Sequence, residues 1–224
     1  MWNPHSELAI RWDARERGRI DRAFASGAFP KDLPTVVHGG TRYTDLRGFP
    51  FHSEILVDLT RVDLSDCNMQ YGGIGREIRI SNCLFNGARL WTTLGYDVRQ
   101  CDFSNAQMKG ADLRGVFRRC KFPQANLVGV KNLAGVSRFV RCDFRGAKLR
   151  NAELRDTVFD HCLWEGATIG SGSFVGSRFL GERPSAQQFG QAILETDVDE
   201  GLAKEIEAEV AARLAKAKQG TRRR

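Results

Sequence analysis

From Phe144 onward a large apolar residue recurs at every fifth position: Phe144, Leu149, Leu154, Phe159, Trp164, Ile169, Phe174 and Phe179. Two residues before each stands a small one: Cys142, Ala147, Ala152, Thr157, Cys162, Ala167, Gly172 and Ser177. An amphipathic helix spaces apolar residues three or four apart, and a half-buried strand spaces them two apart. A period of five fits neither unless the chain turns a corner once per unit. The same unit recurs upstream at Leu59, Leu64 and Met69, at Phe85 and Leu90, at Phe103, Met108 and Leu113, and at Phe122 and Leu127. Self-similarity of this kind predicts a solenoid over about 44–181, stabilised by contacts between neighbouring coils.

The unit is written most fully at Ala111-Asp112-Leu113-Arg114-Gly115 and Ala125-Asn126-Leu127-Val128-Gly129, and more loosely at Ala152-Glu153-Leu154-Arg155-Asp156. In these residues the chain resembles the pentapeptide-repeat family. The resemblance implies an all-β solenoid, a right-handed quadrilateral β-helix with four pentapeptides per coil. About seven coils are expected, rising about 4.8 Å each.

All six cysteines occupy the small position: Cys67, Cys83, Cys101, Cys120, Cys142 and Cys162. Their spacings, 16 to 22 residues, are close to one four-sided coil, which places them in a single column up one inner face. There is no CxxC pair and no histidine at ligand spacing, so they are expected to be reduced core thiols. Such use of cysteine in an unsignalled chain favours the cytoplasm.

An open solenoid exposes apolar side chains at both ends, and the flanks are read as lids. Residues 1–43 are expected to form an N-terminal helical cap, with Asp13 and Glu16 as a capping box, Ile20 and Phe24 on one face, and Gly27 and Pro30 ending the helix. Residues 182–224 are expected to form the C-terminal cap. There Phe189, Ile193 and Leu194 plug the coil, and a helix from about Val198 to Lys218 carries Leu202, Ile206, Val210 and Leu214 in a narrow stripe. That stripe either packs along the solenoid or pairs with a second copy. Relatives that dimerise through their C-terminal ends make a homodimer the reading implied by resemblance. Gly220 to Arg224 reads as a frayed basic tail.

The 224 residues carry a net charge of +7. Residues 40–182 hold 20 basic against 15 acidic groups, so most of the excess belongs to the coil walls. No apolar run approaches the roughly 20 residues of a membrane helix, and Met1-Trp2-Asn3-Pro4-His5 lacks the layout of a signal peptide. A soluble cytoplasmic protein is expected.

Candidate chemistry is sparse. His5, His38, His52 and His161 form no HExxH or HxH arrangement. His161 precedes Cys162, but the two should point to opposite sides of the wall. Gly72, Gly73 and Gly75 lack the Lys-Ser/Thr of a phosphate loop and read as an irregular corner where the repeat loses phase. Asp58, Asp63, Asp102, Asp112, Asn126 and Asp143 read as solvated wall residues whose short side chains bond nearby backbone at the turns. No catalytic residue, cofactor or metal site is expected.

The wall charges are more informative. The column before the Cys face is read as Asp66, Asn82, Gln100, Arg119, Arg141 and His161, with Arg99, Arg118 and Arg138 alongside. These arginines either cover the wall and pair with Asp97, Asp143 or Asp160, or form a grid for an acidic partner. A second, weaker strip comprises Arg89, Lys109, Lys148 and Arg150. The best-known members of the family protect DNA gyrase and related topoisomerases with an acidic rod that resembles duplex DNA. Here the wall is net positive. The first expectation is therefore a non-enzymatic protein-protein interaction module for a partner with an acidic surface, in toxin self-resistance or regulation. Topoisomerase protection ranks second, and direct nucleic-acid binding, which lacks interleaved aromatics, ranks third.

Overall fold

The computed structural model describes residues 6–69, 72–75, 77–94, 96–133, 137–190 and 192. They form a right-handed quadrilateral β-helix. Each side is a two- to four-residue strand or a single bridge, and parallel hydrogen bonds run along the axis from coil to coil. The longest sheet has seven rungs, hence six turns: Leu59–Thr60, Arg79–Ser81, Asp97–Arg99, Gly115–Arg118, Ser137–Val140, Val158–Asp160 and Arg178–Leu180.

Register assigns each large residue to a wall. The first, the Phe wall, points Leu59, Ile80, Val98, Phe117, Phe139, Phe159 and Phe179 inward. The second, the Cys wall, carries Leu64, Phe85, Phe103, Phe122, Phe144 and Trp164, and the third, the Ala wall, carries Met69, Leu90, Met108, Leu127, Leu149 and Ile169. On every coil the steps from first to second to third wall are five residues. Departures are confined to the fourth wall and its corners: Leu90, Leu94 and Val98 are four apart, Leu113 and Phe117 are four apart, and Asn132 and Phe139 are seven apart. Gly115 belongs to one shortened corner. Its φ is +101°, and a Cβ there would collide with the Tyr96 carbonyl.

Aromatic rings stack up two walls. Phe85, Phe103, Phe122, Phe144 and Trp164 follow one another at centroid distances of 4.7, 5.1, 4.9 and 4.8 Å. Phe117, Phe139, Phe159 and Phe179 do the same at 4.8, 5.3 and 4.9 Å. Each such pair contributes about 0.5–1.5 kcal/mol beyond its buried area. The buried Ser137 satisfies its hydroxyl on a neighbouring carbonyl, its Oγ donating to Leu113 O at 2.8 Å.

The cysteine column needs one correction. Cys83, Cys101, Cys120, Cys142 and Cys162 stack as expected, each beside a residue in the bridge series Leu84, Asp102, Lys121, Asp143 and Leu163. Cys67 lies on the next wall, because Asn68 pairs with Arg89 and then Gln107, below Ala88 and Ala106. Val62 occupies the position beneath Cys83. The 16-residue interval from Cys67 to Cys83 is one coil of 21 less one side of five. All six are free and buried, and burial pushes the thiols of Cys67, Cys101 and Cys142 up.

The glycine cluster is also corrected. Gly73–Ile74 pairs in parallel with Glu54–Ile55 and is a rung of the fourth wall, so the segment forms a side of the coil. A Cβ on Gly72 would lie 2.6 Å from Ser53 O, so glycine permits the close stacking.

The N-terminal lid comprises α1 (Glu7–Ile10), α2 (Ala14–Ala25) and the hairpin of β1 (Thr35–His38) with β2 (Thr41–Asp45). The Glu16 amide donates to Asp13 Oδ1 at 2.8 Å at the start of α2, and Ile20 and Phe24 are fully buried, as the pattern predicts. Gly39 and Gly40, both at positive φ, turn the hairpin, and β2 joins the coil through Asp45 opposite Asp63. A guanidinium clamp fastens the lid: Arg11 reaches Asp45 at 2.6 Å and Arg47 reaches it at 2.9 Å. At the other end α3 (Ala186–Phe189) places Phe189 against Phe174 and Phe179. Ile193, Leu194 and the helix expected from Val198 to Lys218, with Leu202, Ile206, Val210 and Leu214, lie outside the described residues. Among the described residues, no helix is long and apolar enough to cross a membrane.

Candidate functional site

The Phe wall meets the Cys wall at a corner where every coil bends through one residue. Arg61, Asn82, Gln100, Arg119, Arg141 and His161 occupy it, with φ between 51° and 53°, and Gly181 continues the column at 83°. A left-handed residue lets the chain turn without losing its axial bonds. The Gln100 amide donates to Arg118 O, Arg119 to Val140 O, Arg141 to Asp160 O and His161 to Leu180 O, all at 2.7–2.8 Å. The expected column thus holds from Asn82 to His161, and Arg61 replaces Asp66. Asp66 belongs to the following corner with Gly87, as its amide bonding to Asn86 O and the approach of its carboxylate to Gly87 show.

The five expected arginines do gather here, in two classes. Asp97 accepts from Arg99 at 2.6 Å and from Arg118 on the coil above at 2.9 Å. Asp160 accepts from Arg138 on one oxygen and from His161 Nδ1 on the other, both at 2.7 Å. The His161 hydrogen bond is the main influence holding the Asp160 carboxyl below its ordinary range; partial burial opposes it and Arg138 reinforces it. Arg119 and Arg141, exposed on successive coils, have no carboxylate partner among the described residues. Asp143, the third expected partner, pairs instead with Arg145 at 2.7 Å.

Arg99, Arg118, Arg119, Arg141, Asp160 and His161 border a surface recess of about 450 Å³, backed by Val140. The four guanidiniums that line it outnumber its one carboxylate, so the recess attracts anions. Sequence reasoning did not single out Asp160 as closing the recess with His161. The signal was the Asp160-His161 dipeptide one coil above Val140-Arg141.

Two wall carboxylates expected to be solvated are buried. Asp63 is 1% exposed beneath His38 at 2.7 Å and Arg47 at 3.8 Å, because the N-terminal hairpin roofs that part of the wall. Asp112 is 7% exposed beneath Arg114. The pattern Asp-x-Arg recurs as a clamp around a buried inward residue, at Asp45/Arg47, Asp97/Arg99, Asp112/Arg114 and Asp143/Arg145. The expected turn bonds are present: Asp63 accepts from the Ser65 amide, Asp102 from Ser104 and Asp143 from Arg145.

The weaker strip is divided. Arg89 and Lys148 share one column of the Ala wall, separated by Gln107 and Asn126, and Lys109 and Arg150 lie two residues further along their coils. A trough of about 1090 Å³ beside α3 is lined by Arg145, Lys148 and Arg150, but Glu165 also lines it and Arg145 is already paired. It is less basic than the arginine corner. No group of three or more His, Cys, Asp or Glu residues is placed to hold a metal among the described residues.

A family model for pentapeptide repeats, in eight copies, matches residues 95–117 and 137–162. No curated protein sequence matches the chain. Among solved structures, the chain is similar to HetL, a pentapeptide repeat protein involved in heterocyst differentiation regulation from the cyanobacterium Nostoc sp. strain PCC 7120. Identity is 20% and the TM-score 0.34, over 59% of this chain and 67% of that one. It is similar to Rfr23 from the cyanobacterium Cyanothece 51142 at 19% identity and a TM-score of 0.28, over 47% and 62% of the two chains. Similarity to QnrB1, a plasmid-mediated fluoroquinolone resistance protein, is 14% identity and a TM-score of 0.37, over 56% and 71%. The five-residue unit, the four-walled coil it builds and the match over residues 95–117 and 137–162 show that this chain carries pentapeptide repeats.

Proposed function

We propose that the protein is a rigid interaction module that binds the acidic surface of a protein partner through the arginine corner. Pentapeptide-repeat proteins are structural and interaction proteins and not enzymes, so function rests on what a wall displays. The observation that carries the reading is the exposure of Arg119 and Arg141 on successive coils without carboxylate partners, in a recess whose other arginines, Arg99 and Arg118, are held in place by Asp97. Corner residues fixed by axial hydrogen bonds offer guanidiniums at low ordering cost, and Arg suits bidentate capture of carboxylates and other oxyanions. Protection of DNA gyrase by mimicry of duplex charge is the second reading, and the net positive walls weigh against it.

The test is affinity capture from extract of the source cells with the full chain. Wild-type protein should retain an acidic partner, and the double variant Arg119→Glu/Arg141→Glu should lose it while keeping its circular dichroism and melting temperature. Lys148→Glu, on the Ala wall, should retain it. Capture that survives the corner reversal and fails with Lys148→Glu would move the interface to the trough.

A further inference from the structure

We propose that the Arg119 and Arg141 pair is a receptor for a phosphomonoester carried on a side chain of the partner, so that partner phosphorylation controls binding. The inference rests on the reading of the corner as the interaction surface and specifies its chemistry.

Asp97 already accepts from Arg99 and Arg118, and both oxygens of Asp160 are engaged by Arg138 and His161. What remains is two guanidiniums in one column, their backbones one coil apart, about 4.8 Å. A carboxylate has one charge and two oxygens in a plane, which a single guanidinium fork fills. A phosphodiester likewise has one charge and two free oxygens. A phosphomonoester carries about −1.5 to −2 charges and three acceptor oxygens, so two can meet one fork while the third reaches the neighbouring arginine. Its double charge also relieves the repulsion between two stacked cations.

The surroundings agree. Gln100 below the pair supplies an amide donor, and Val140 backs the recess without competing acceptors. A volume of about 450 Å³ admits one phosphorylated side chain and excludes a duplex. The wall backbone is consumed by coil-to-coil bonds such as Arg119 N to Val140 O and Arg141 N to Asp160 O, so an incoming peptide finds side-chain donors and few main-chain ones. Recognition then depends on the charged group itself.

The experiment is fluorescence anisotropy of the full chain with a labelled Gly-Ser peptide carrying one phosphoserine, the same peptide with Glu or Ser at that position, and a labelled single-stranded oligonucleotide. The phosphoserine peptide should bind at least about tenfold more tightly than the Glu peptide. Arg119→Ala/Arg141→Ala, checked for an unchanged melting temperature, should abolish that preference, and Arg119→Lys/Arg141→Lys should reduce it by keeping charge without forks. Equal affinity for the phosphoserine and Glu peptides would overturn the phosphate assignment. If corner reversal still abolished partner capture, the interaction reading would stand without it. Tighter binding of the oligonucleotide than of the phosphopeptide would replace the proposal with nucleic-acid binding. Partner capture indifferent to corner reversal would remove the reading beneath both.

Discussion

The rings of Phe122 and Phe144 lie one coil apart in the same column, centroids 4.9 Å apart and planes within 4° of parallel. Each belongs to two coils at once, since Phe144 also stacks on Trp164 above at 4.8 Å. Removing such a ring therefore opens a cavity between coils. Phe144→Ala should lower stability by about 3–5 kcal/mol. Arg141→Ala, a change on the exposed corner between non-glycine residues, should cost about 0.5 kcal/mol or less. Thermal melts of the two variants check this, and equal losses would mean that inward and outward positions are misassigned.

The left-handed backbone at the arginine corner makes a separate prediction. A non-glycine residue pays roughly 1–2 kcal/mol to sit there, and a β-branched one pays more. Arg141, with φ of 53°, should tolerate Gly with no loss of melting temperature, whereas Arg141→Val should melt measurably lower than Arg141→Ala. If Val and Ala variants melt together, the corner does not hold the conformation assigned to it.

Much of this architecture was legible from the spacing alone. The five-residue step reports a corner directly, and Asp13, Ile20 and Phe24 announce α2 through ordinary capping and amphipathicity. Cys67 shows where spacing fails. The small-x-large unit reads alike on every wall, so only the coil length, 21 residues from Val62 to Cys83, tells the walls apart. That length varies through the fourth wall, which no local motif marks. The burial of Asp63 was hidden for another reason: its cover, His38, comes from a hairpin 25 residues earlier. The corner arginines were legible as a cluster, but their division into paired and unpaired members depends on which coil brings Asp97 and Asp160 beside them.

Acid should loosen the N-terminal lid. Burial alone would raise the Asp45 carboxyl, but hydrogen bonds from Arg11 and Arg47 outweigh it and hold the group well below the ordinary carboxylate range. A carboxyl depressed in the folded state contributes its full stabilisation above its unfolded value, near 3.9, and loses it as pH falls towards the folded value. Asp21 and Asp66, both raised chiefly by burial, have the opposite sign, so the Asp45 contribution must be isolated with a variant. Asp45→Asn should melt below wild type near neutral pH, and the gap should narrow progressively as pH falls below about 4. A gap independent of pH would show that the clamp does not depend on the Asp45 charge.

The thiols report on the core. All six cysteines are buried and free, so the native fold shields them from a reagent, and burial pushes the thiols of Cys67, Cys101 and Cys142 up. Titration with an aromatic disulfide should find no fast-reacting group in native protein and six in denaturant without added reductant. Rapid native labelling, or fewer than six groups after unfolding, would contradict a column of free core thiols.

The charge of the walls separates the interaction reading from topoisomerase protection. A protein that competes with duplex DNA by resembling it needs negative charge along its length, and here 20 basic groups face 15 acidic ones over residues 40–182. Added to purified DNA gyrase with a quinolone, the wild-type chain should leave supercoiling inhibited at every concentration tested. The reversal Arg119→Glu/Arg141→Glu makes the corner more like a row of phosphates, so under a mimicry mechanism it should protect better than wild type. Under the interaction reading it should protect no better and should lose the acidic partner. Dose-dependent protection by wild-type protein, strengthened by the reversal, would make gyrase the target and displace the acidic partner as the ligand of this corner.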